Sequence, residues 1–325
     1  DIYLPNAGEG PFPVILFAHG GGYAFGDKGD YETYPPLEGL KRGYAVCAIN
    51  YTLSGEALFP TQIQEGKAAI RFIRANADRP FFCFVLLNDP PEPTTPPDDL
   101  LRPELAALDL PPPDAAELRH LASWGDPARP EQHLGLCGWP LPEPARRTRQ
   151  LKRAVYRATV RQVDRALGRL VGQLDRWGLT ERTLVTVFSD HGEEFCEHGA
   201  EAQAWDHDPR RVRAIGHGHT QFQELLHVPW LSWGAGVPTA DRVQEPVSLL
   251  DLAPTHADWL GAGPLPLPET GLGALTGRSL AAGNPEPDRV VLAEALAFGP
   301  DVVAVRRGPW KLVTHRDGRP LGLYD

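Results

Sequence analysis

Three short apolar runs constrain this chain more than any other feature: Val14-Ile-Leu-Phe-Ala18, Tyr44-Ala-Val-Cys-Ala-Ile49 and Phe81-Phe-Cys-Phe-Val-Leu-Leu87. Each is too short for a helix, shows no alternation of polar residues, and opens directly after Pro or Gly. Such runs suit strands buried on both faces, which requires helices on either side of a mostly parallel sheet. Ile63, Ala69, Ile70 and Ile73 follow at helical spacing, so strand, loop, strand and helix succeed one another over residues 1–78. The expected fold class is α/β.

With 42% hydrophobic and 23% charged residues, 325 residues can bury a core. The longest apolar run is far short of a membrane span. A net charge of −10 and a pI near 5.6 leave nothing basic for a nucleic-acid backbone. An anionic ligand would need a local cationic cluster or a metal. Cys47, Cys83, Cys137 and Cys196 show no CxxC spacing and do not form a disulfide framework. With no Met and with Asp1 already inside a strand-like DIYLP, the sequence reads as lacking its own start, and the compartment stays open.

Between residues 90 and 144 lie 14 of the 34 prolines, which predicts an irregular surface excursion. One short helix is expected inside it, with Asp114 as N-cap and Glu117 completing a capping box. Tyr156, Val160, Val163, Leu167, Leu170, Val171 and Leu174 then mark a long amphipathic helix that Gly178 closes. A strand over 183–188 runs directly into Ser189-Asp190-His191. Later strands are expected at 228–233, 290–295, 301–306 and 310–314, and a helix at 249–260.

Two loops carry residue types suited to chemistry. His19-Gly20-Gly21-Gly22 follows a strand, and consecutive glycines let backbone N–H groups converge as an oxyanion hole requires. The stretches PVILFAHGGGYAFGD, GYAVCAINYTL and FPTQIQEGKAAIRFIRANA resemble the N-terminal part of an α/β-hydrolase esterase of the HGGG type. That family's GxSxG nucleophile elbow has no counterpart; Gly277-Arg-Ser279 lacks the closing glycine. In the second loop Asp190 and His191 stand at a strand's carboxyl end, where a carboxylate and an imidazole reach one divalent cation. His198, His217 and His219 follow as further candidates.

FSDHGEEFCEHG, GHGHTQFQELLHVPWLSWGAG, PVSLLDLAPT, GRSL and GPWKLV…GLYD resemble, in order, the C-terminal half of a sulfatase of the alkaline phosphatase superfamily. This resemblance covers about residues 79–325, three-quarters of the chain. It implies a mixed, largely parallel sheet flanked by helices, with a smaller C-terminal antiparallel sheet. It further implies that Asp190 and His191 bind a divalent metal, with calcium first and zinc or manganese as alternatives. His217 or His219 takes the place of a substrate-contacting lysine, and the substrate is a small anionic ester.

The departures are as specific. No Cys/Ser-x-Pro-x-Arg sequence supplies a formylglycine nucleophile, the paired aspartates of the family's N-terminal half are missing, and Pro91 stands where an aspartate-proline-histidine motif has its histidine. After residue 78 only Lys152 and Lys311 remain, neither placed by sequence near the site, and the tail stops at GLYD where members usually continue. The two resemblances meet without a linker at Ala77 to Pro80, as in a chimera, so residues 1–78 are expected to complete the main sheet of 79–325. The leading expectation is an impaired metal-dependent sulfate-ester hydrolase. The alternatives are a carboxylesterase using the HGGG loop and a non-catalytic metal-binding or interaction protein.

Overall fold

The structure, a computed structural model, describes residues 1–6, 14–18, 27–29, 33–52, 56, 61–75, 82–83, 96–121, 134, 139–198, 214–238, 242–261, 277–294 and 301–325. Two compact units divide the chain, residues 1–100 with 156–163, and residues 101–155 with 164–325.

In the first unit, β1 (Ile2–Tyr3), β2 (Val14–Ala18), β3 (Ala45–Ile49) and β4 (Phe82–Cys83) form one sheet in the order β1-β3-β2-β4. Strand β2 runs parallel to both β3 and β4, while β1 is antiparallel to β3. Four successive residues of β3, Ala45 to Ala48, are each at most 9% exposed. Burial on consecutive positions means that both faces are covered, which is what an unbroken apolar run provides for. A four-residue helix α1 (Tyr34–Leu37) precedes β3. Helix α2 (Thr61–Ala75) packs Ala69 and Ile70 against Leu16 and Cys47. Phe82 and Cys83 lie beyond the Ala77–Pro80 join, yet they register with Ile15 and Leu16. The sheet therefore takes strands from both sides of that join.

The second unit begins in the proline-rich stretch, which is more regular than the proline content predicts. It holds α3 (Asp98–Ala106) and α4 (Ala115–Leu121). The capping box of α4 forms as expected: Asp114 Oδ1 accepts from the N–H groups of Ala116 and Glu117, both at 2.8 Å, and Glu117 Oε2 accepts from the N–H of Asp114 at 3.2 Å. Helix α5 spans Glu143–Arg176, so it starts well before Tyr156 and inside the expected excursion. Pro142 is its N-cap and Pro144 sits in its first turn, positions whose missing N–H has no intrahelical partner to lose. At the far end the Gly178 N–H donates to Asp175 O and the Leu179 N–H to Leu174 O. Gly178 adopts φ +63°, so the carbonyls of the last turn are satisfied by a left-handed residue. Leu121, Leu151 and Val155 form a local core with Leu101, Leu105, Leu108 and Leu110 around them.

Strand β5 (Leu184–Phe188) pairs antiparallel with β8 (Trp230–Gly234), and β6 (Glu194–Phe195) with β7 (Ile215–Gly216). Among the described residues β5 has no other strand partner. Helix α6 (Gln223–Leu226) lies between β7 and β8, and α7 (Leu252–Trp259) follows a 3₁₀ turn at Leu249–Asp251. The C-terminal sheet is antiparallel, as expected, in the order β12-β11-β10-β9: β9 (Val290–Glu294), β10 (Val302–Arg307), β11 (Trp310–His315) and β12 (Pro320–Tyr324). Strand β12 was not expected from the sequence. Val302, Ala304 and Val313 on the inner face join a core that includes Ala145, Cys196, Ile215 and Phe222.

One buried carboxylate organises this region. Asp251 is wholly buried and accepts two hydrogen bonds from the Arg289 guanidinium at 2.7 and 2.8 Å, plus the N–H groups of Ser248 and Arg278. Burial alone would raise its pKa, but the Arg289 side chain and the two N–H donors hold the carboxyl below its ordinary value.

Candidate functional site

Strand β5 delivers Ser189, Asp190 and His191 at its carboxyl end. Ser189 Oγ donates to His191 O at 2.6 Å, and the His191 N–H donates to Asp190 Oδ1 at 3.0 Å, which closes a tight turn. Gly192 is required next. A Cβ there would enter the contact shell of the Glu224 carbonyl oxygen, while the Gly192 N–H donates to Leu225 O at 2.9 Å. The glycine thus seats the turn against α6.

From this turn the chain enters β6 with two adjacent glutamates, each of which takes one histidine from the facing GHGHT loop. Glu193 Oε2 lies 3.2 Å from His217 Nδ1, and Glu194 Oε2 lies 3.0 Å from His219 Nε2. The register Glu194↔Gly216 brings the two loops side by side. The pairs differ in exposure. The side chains of His217 and His191 are 44% and 43% exposed, and their rings stack with centroids 3.8 Å apart. His219 is buried and Glu194 is fully sealed, with Thr220 Oγ1 donating to the same Glu194 Oε2 at 3.1 Å. The sequence left His217 and His219 as equal candidates for substrate contact. The geometry places only His217 at the surface beside His191.

His198 Nδ1 pairs with Glu224 Oε1 at 2.7 Å and its ring stacks on Phe222 at 4.0 Å, so this histidine is spent on packing. Neither later lysine is part of the turn. Lys152 donates to Leu121 O, and Lys311 is buried on the inner face of β11. Glu193, Glu194 and Glu224 were missed in the sequence. Their signal was the acidic doublet directly after Asp190-His191, matched by two histidines two residues apart.

A divalent cation is what the Asp190–His191 pair was expected to hold. His191 Nδ1 lies 2.9 Å from Gly192 O, so it carries the proton there. Nε2 then sits 3.8 Å from Asp190 Oδ1. A carboxylate oxygen and a ring nitrogen side by side suit two places in a coordination shell. Asp190 is 77% exposed, and no group of three or more His, Cys, Asp or Glu is poised to hold a metal among the described residues. These two groups alone do not complete a coordination shell. The loop His19, Gly20, Gly21 and Gly22 lies outside the described residues.

The chain is similar to known proteins over most of its length. The family description Sulfatase matches residues 63–262, and a second, BD-FAE, matches residues 1–81, so the two overlap over 63–81. The rat protein Arylsulfatase K (Rattus norvegicus) is 30% identical over 173 residues, covering 51% of this chain and 28% of the relative. The "Low-salt glycan biosynthesis sulfotransferase Agl7" of Haloferax volcanii is 32% identical over 163 residues, covering 47% of this chain and 36% of its own. The chain thus spans about a third or less of these relatives. Among solved structures, the phosphonate monoester hydrolase SpPMH from Silicibacter pomeroyi superposes with a TM-score of 0.55 at 24% identity, covering 80% of this chain and 52% of the other. That likeness concerns the alkaline phosphatase/sulfatase fold.

Proposed function

Because the chain belongs to the sulfatase family, we propose that it is a sulfatase-like hydrolase that receives a small anionic ester on the imidazole face formed by His191 and His217. Turnover of sulfate esters is held to little or none, since the sequence contains no Cys/Ser-x-Pro-x-Arg nucleophile.

The observation that carries this reading is the stack of two half-exposed imidazoles at the end of β5, beside a carboxylate. The Nδ1–H of each ring is taken by Gly192 O or Glu193 Oε2, so an exposed Nε2 donates to an ester oxyanion where its ring is protonated and offers a lone pair to a cation where it is not. Asp190 and Glu193 oppose an anion in the same place, so the face needs added positive charge. Asp190 and His191 are the described residues that would hold a divalent cation, calcium first by family likeness. When bound, such an ion would act as a Lewis acid toward a sulfate oxygen. The work of the chain itself is to orient the rings: Gly192 O fixes the tautomer of His191, and Glu193 sets the angle of His217.

The test uses the full chain with 4-nitrophenyl sulfate and calcium, then manganese or zinc. Release of nitrophenol is expected at the level of the buffer blank. Calorimetry is expected to show cation-dependent binding of the ester, weakened about ten-fold in His217→Gln, as loss of one charge-assisted hydrogen bond predicts. Robust turnover, or equal binding by the variant, overturns the reading. The match over residues 1–81 favours a second reading, a carboxylesterase using His19 to Gly22. It predicts hydrolysis of 4-nitrophenyl acetate that a serine-directed inhibitor blocks, and it lacks a GxSxG serine. Cation binding with no ester binding would instead identify a non-catalytic metal binder.

A further inference from the structure

At the turn between β10 and β11 the surface folds into a concavity of about 290 Å³, lined by Gln244, Glu245, Pro246, Pro287, Arg306 and Pro309 together with Gly308. It shares no residue with the Asp190–His191–His217 group. Two opposite charges line it, and no ion pair or hydrogen bond joins them. Glu245 Oε2 is buried with no hydrogen-bond partner among the described residues. A carboxylate oxygen removed from water without a donor is costly.

Arg306 is in an equally unusual position. Its registered cross-strand neighbour on β11 is Lys311, so two cations share one face of the hairpin, an arrangement that disfavours the folded state. The side chain of Arg306 makes no hydrogen bond or ion pair among the described residues. Neighbouring Arg307 pairs with Asp288 and Lys311 has Glu224 within electrostatic range, whereas Arg306 makes no ion pair among the described residues. Lys311 registers the effect, its pKa falling to about 8 mainly through burial, with Glu224 opposing the fall and Arg306 adding to it.

We propose that this concavity is a binding site for a small zwitterion, whose protonated amine is held by Glu245 and whose oxyanion is held by Arg306, with the connecting carbons against Pro246, Pro287 and Pro309. The argument is one of complementarity. A cation alone would meet Arg306, and an anion alone would meet Glu245, so each lone charge finds one partner and one repulsion. A molecule carrying both charges satisfies both groups and offsets the Arg306–Lys311 repulsion. Free amino acids and aminoalkyl sulfonates share this chemistry. The volume suits ligands of that size and falls at the lower edge of ordinary small-molecule sites, about 300 Å³.

The experiment titrates the full chain with taurine and with β-alanine, which separates sulfonate from carboxylate sources of the oxyanion. Ethylamine and ethanesulfonate serve as single-charge controls, and binding is followed by calorimetry or by ligand-detected magnetic resonance. At least one zwitterion is expected to bind saturably, about ten-fold or more tighter than either control. Glu245→Gln is expected to reduce zwitterion affinity to that of ethanesulfonate, and Arg306→Gln to that of ethylamine. Glu245→Gln is isosteric and Arg306→Gln shortens the side chain while keeping it polar, and thermal melts confirm that each variant remains folded. Absence of saturable binding to either zwitterion overturns the proposal. So does ethanesulfonate binding as tightly as taurine, or binding that survives both substitutions.

Discussion

His219 Nε2 and Glu194 Oε2 meet at 3.0 Å with the carboxylate entirely removed from solvent, whereas His217, two residues earlier, keeps its ring at the surface beside His191. The GHGHT loop is thus anchored by one histidine so that the other can be displayed. Glu194→Ala would strand both His219 and Thr220 in the interior, and we expect a loss of about 3–5 kcal/mol of unfolding free energy in urea titrations. His217→Gln, at a half-exposed position, is expected to change it by no more than about 0.5 kcal/mol. Similar losses for the two would contradict the division of labour.

Asp251 should dominate acid stability in the second unit. Its folded pKa lies below the ordinary aspartate value, so its contribution is fully present above about pH 4 and is lost as pH falls through the lower folded value. Asp251→Asn is expected to lose about 3–5 kcal/mol near neutrality by leaving the Arg289 guanidinium without its buried anion. The wild-type decline in acid should be correspondingly shallower in the variant. Denaturant midpoints measured from pH 7 down to pH 3 decide this.

His256 makes the opposite kind of demand. Trp230 Nε1–H can only donate, and it does so to Ser232 Oγ at 3.0 Å; Ser232 Oγ lies 2.8 Å from Thr186 Oγ1, which lies 2.9 Å from His256 Nε2. Burial of the ring disfavours its charged form and lowers the imidazole pKa. Because the folded value is the lower one, the contribution is complete above the ordinary value of about 6.5 and is lost as pH falls below it. Melting temperatures between pH 7.5 and pH 5 should fall in the wild type, and fall less in His256→Gln. Parallel curves would sink this account.

Gly192→Ala should disturb the turn that holds Asp190 and His191, because the added methyl meets the Glu224 carbonyl, a backbone atom that cannot rotate away. A cost of about 1–3 kcal/mol is expected, as for overpacking in a tight contact. The His191 ring signals should shift in a nuclear magnetic resonance spectrum. Gly168→Ala, on helix α5 with open space where the methyl would lie, is the control; it should be neutral or stabilising.

Where local chemistry decides, the sequence was readable. The unbroken run at 45–49 is buried on both faces, Asp114 and Glu117 cap α4, and Gly178 closes α5. The start of α5 was not readable, because prolines that break a helix interior are harmless in a first turn, and composition does not reveal which turn they occupy. Nor could spacing tell His217 from His219. Their difference comes from which glutamate of the facing loop each one meets, and that depends on the Glu194↔Gly216 register. Arg306 was equally opaque, since its pairing with Lys311 across the hairpin appears only once β10 and β11 register.

Strand β2 has hydrogen-bonded neighbours drawn from either side of Ala77 to Pro80, with β3 on one flank and β4 on the other. Dividing the protein after residue 78 would strip β2 of one flank and leave Phe82 and Cys83 with no ladder to join. An exposed row of unpaired amides is a sticky edge. The two ancestries in this chain are therefore not cassettes to be expressed apart, and each fragment made alone should be found in the insoluble fraction.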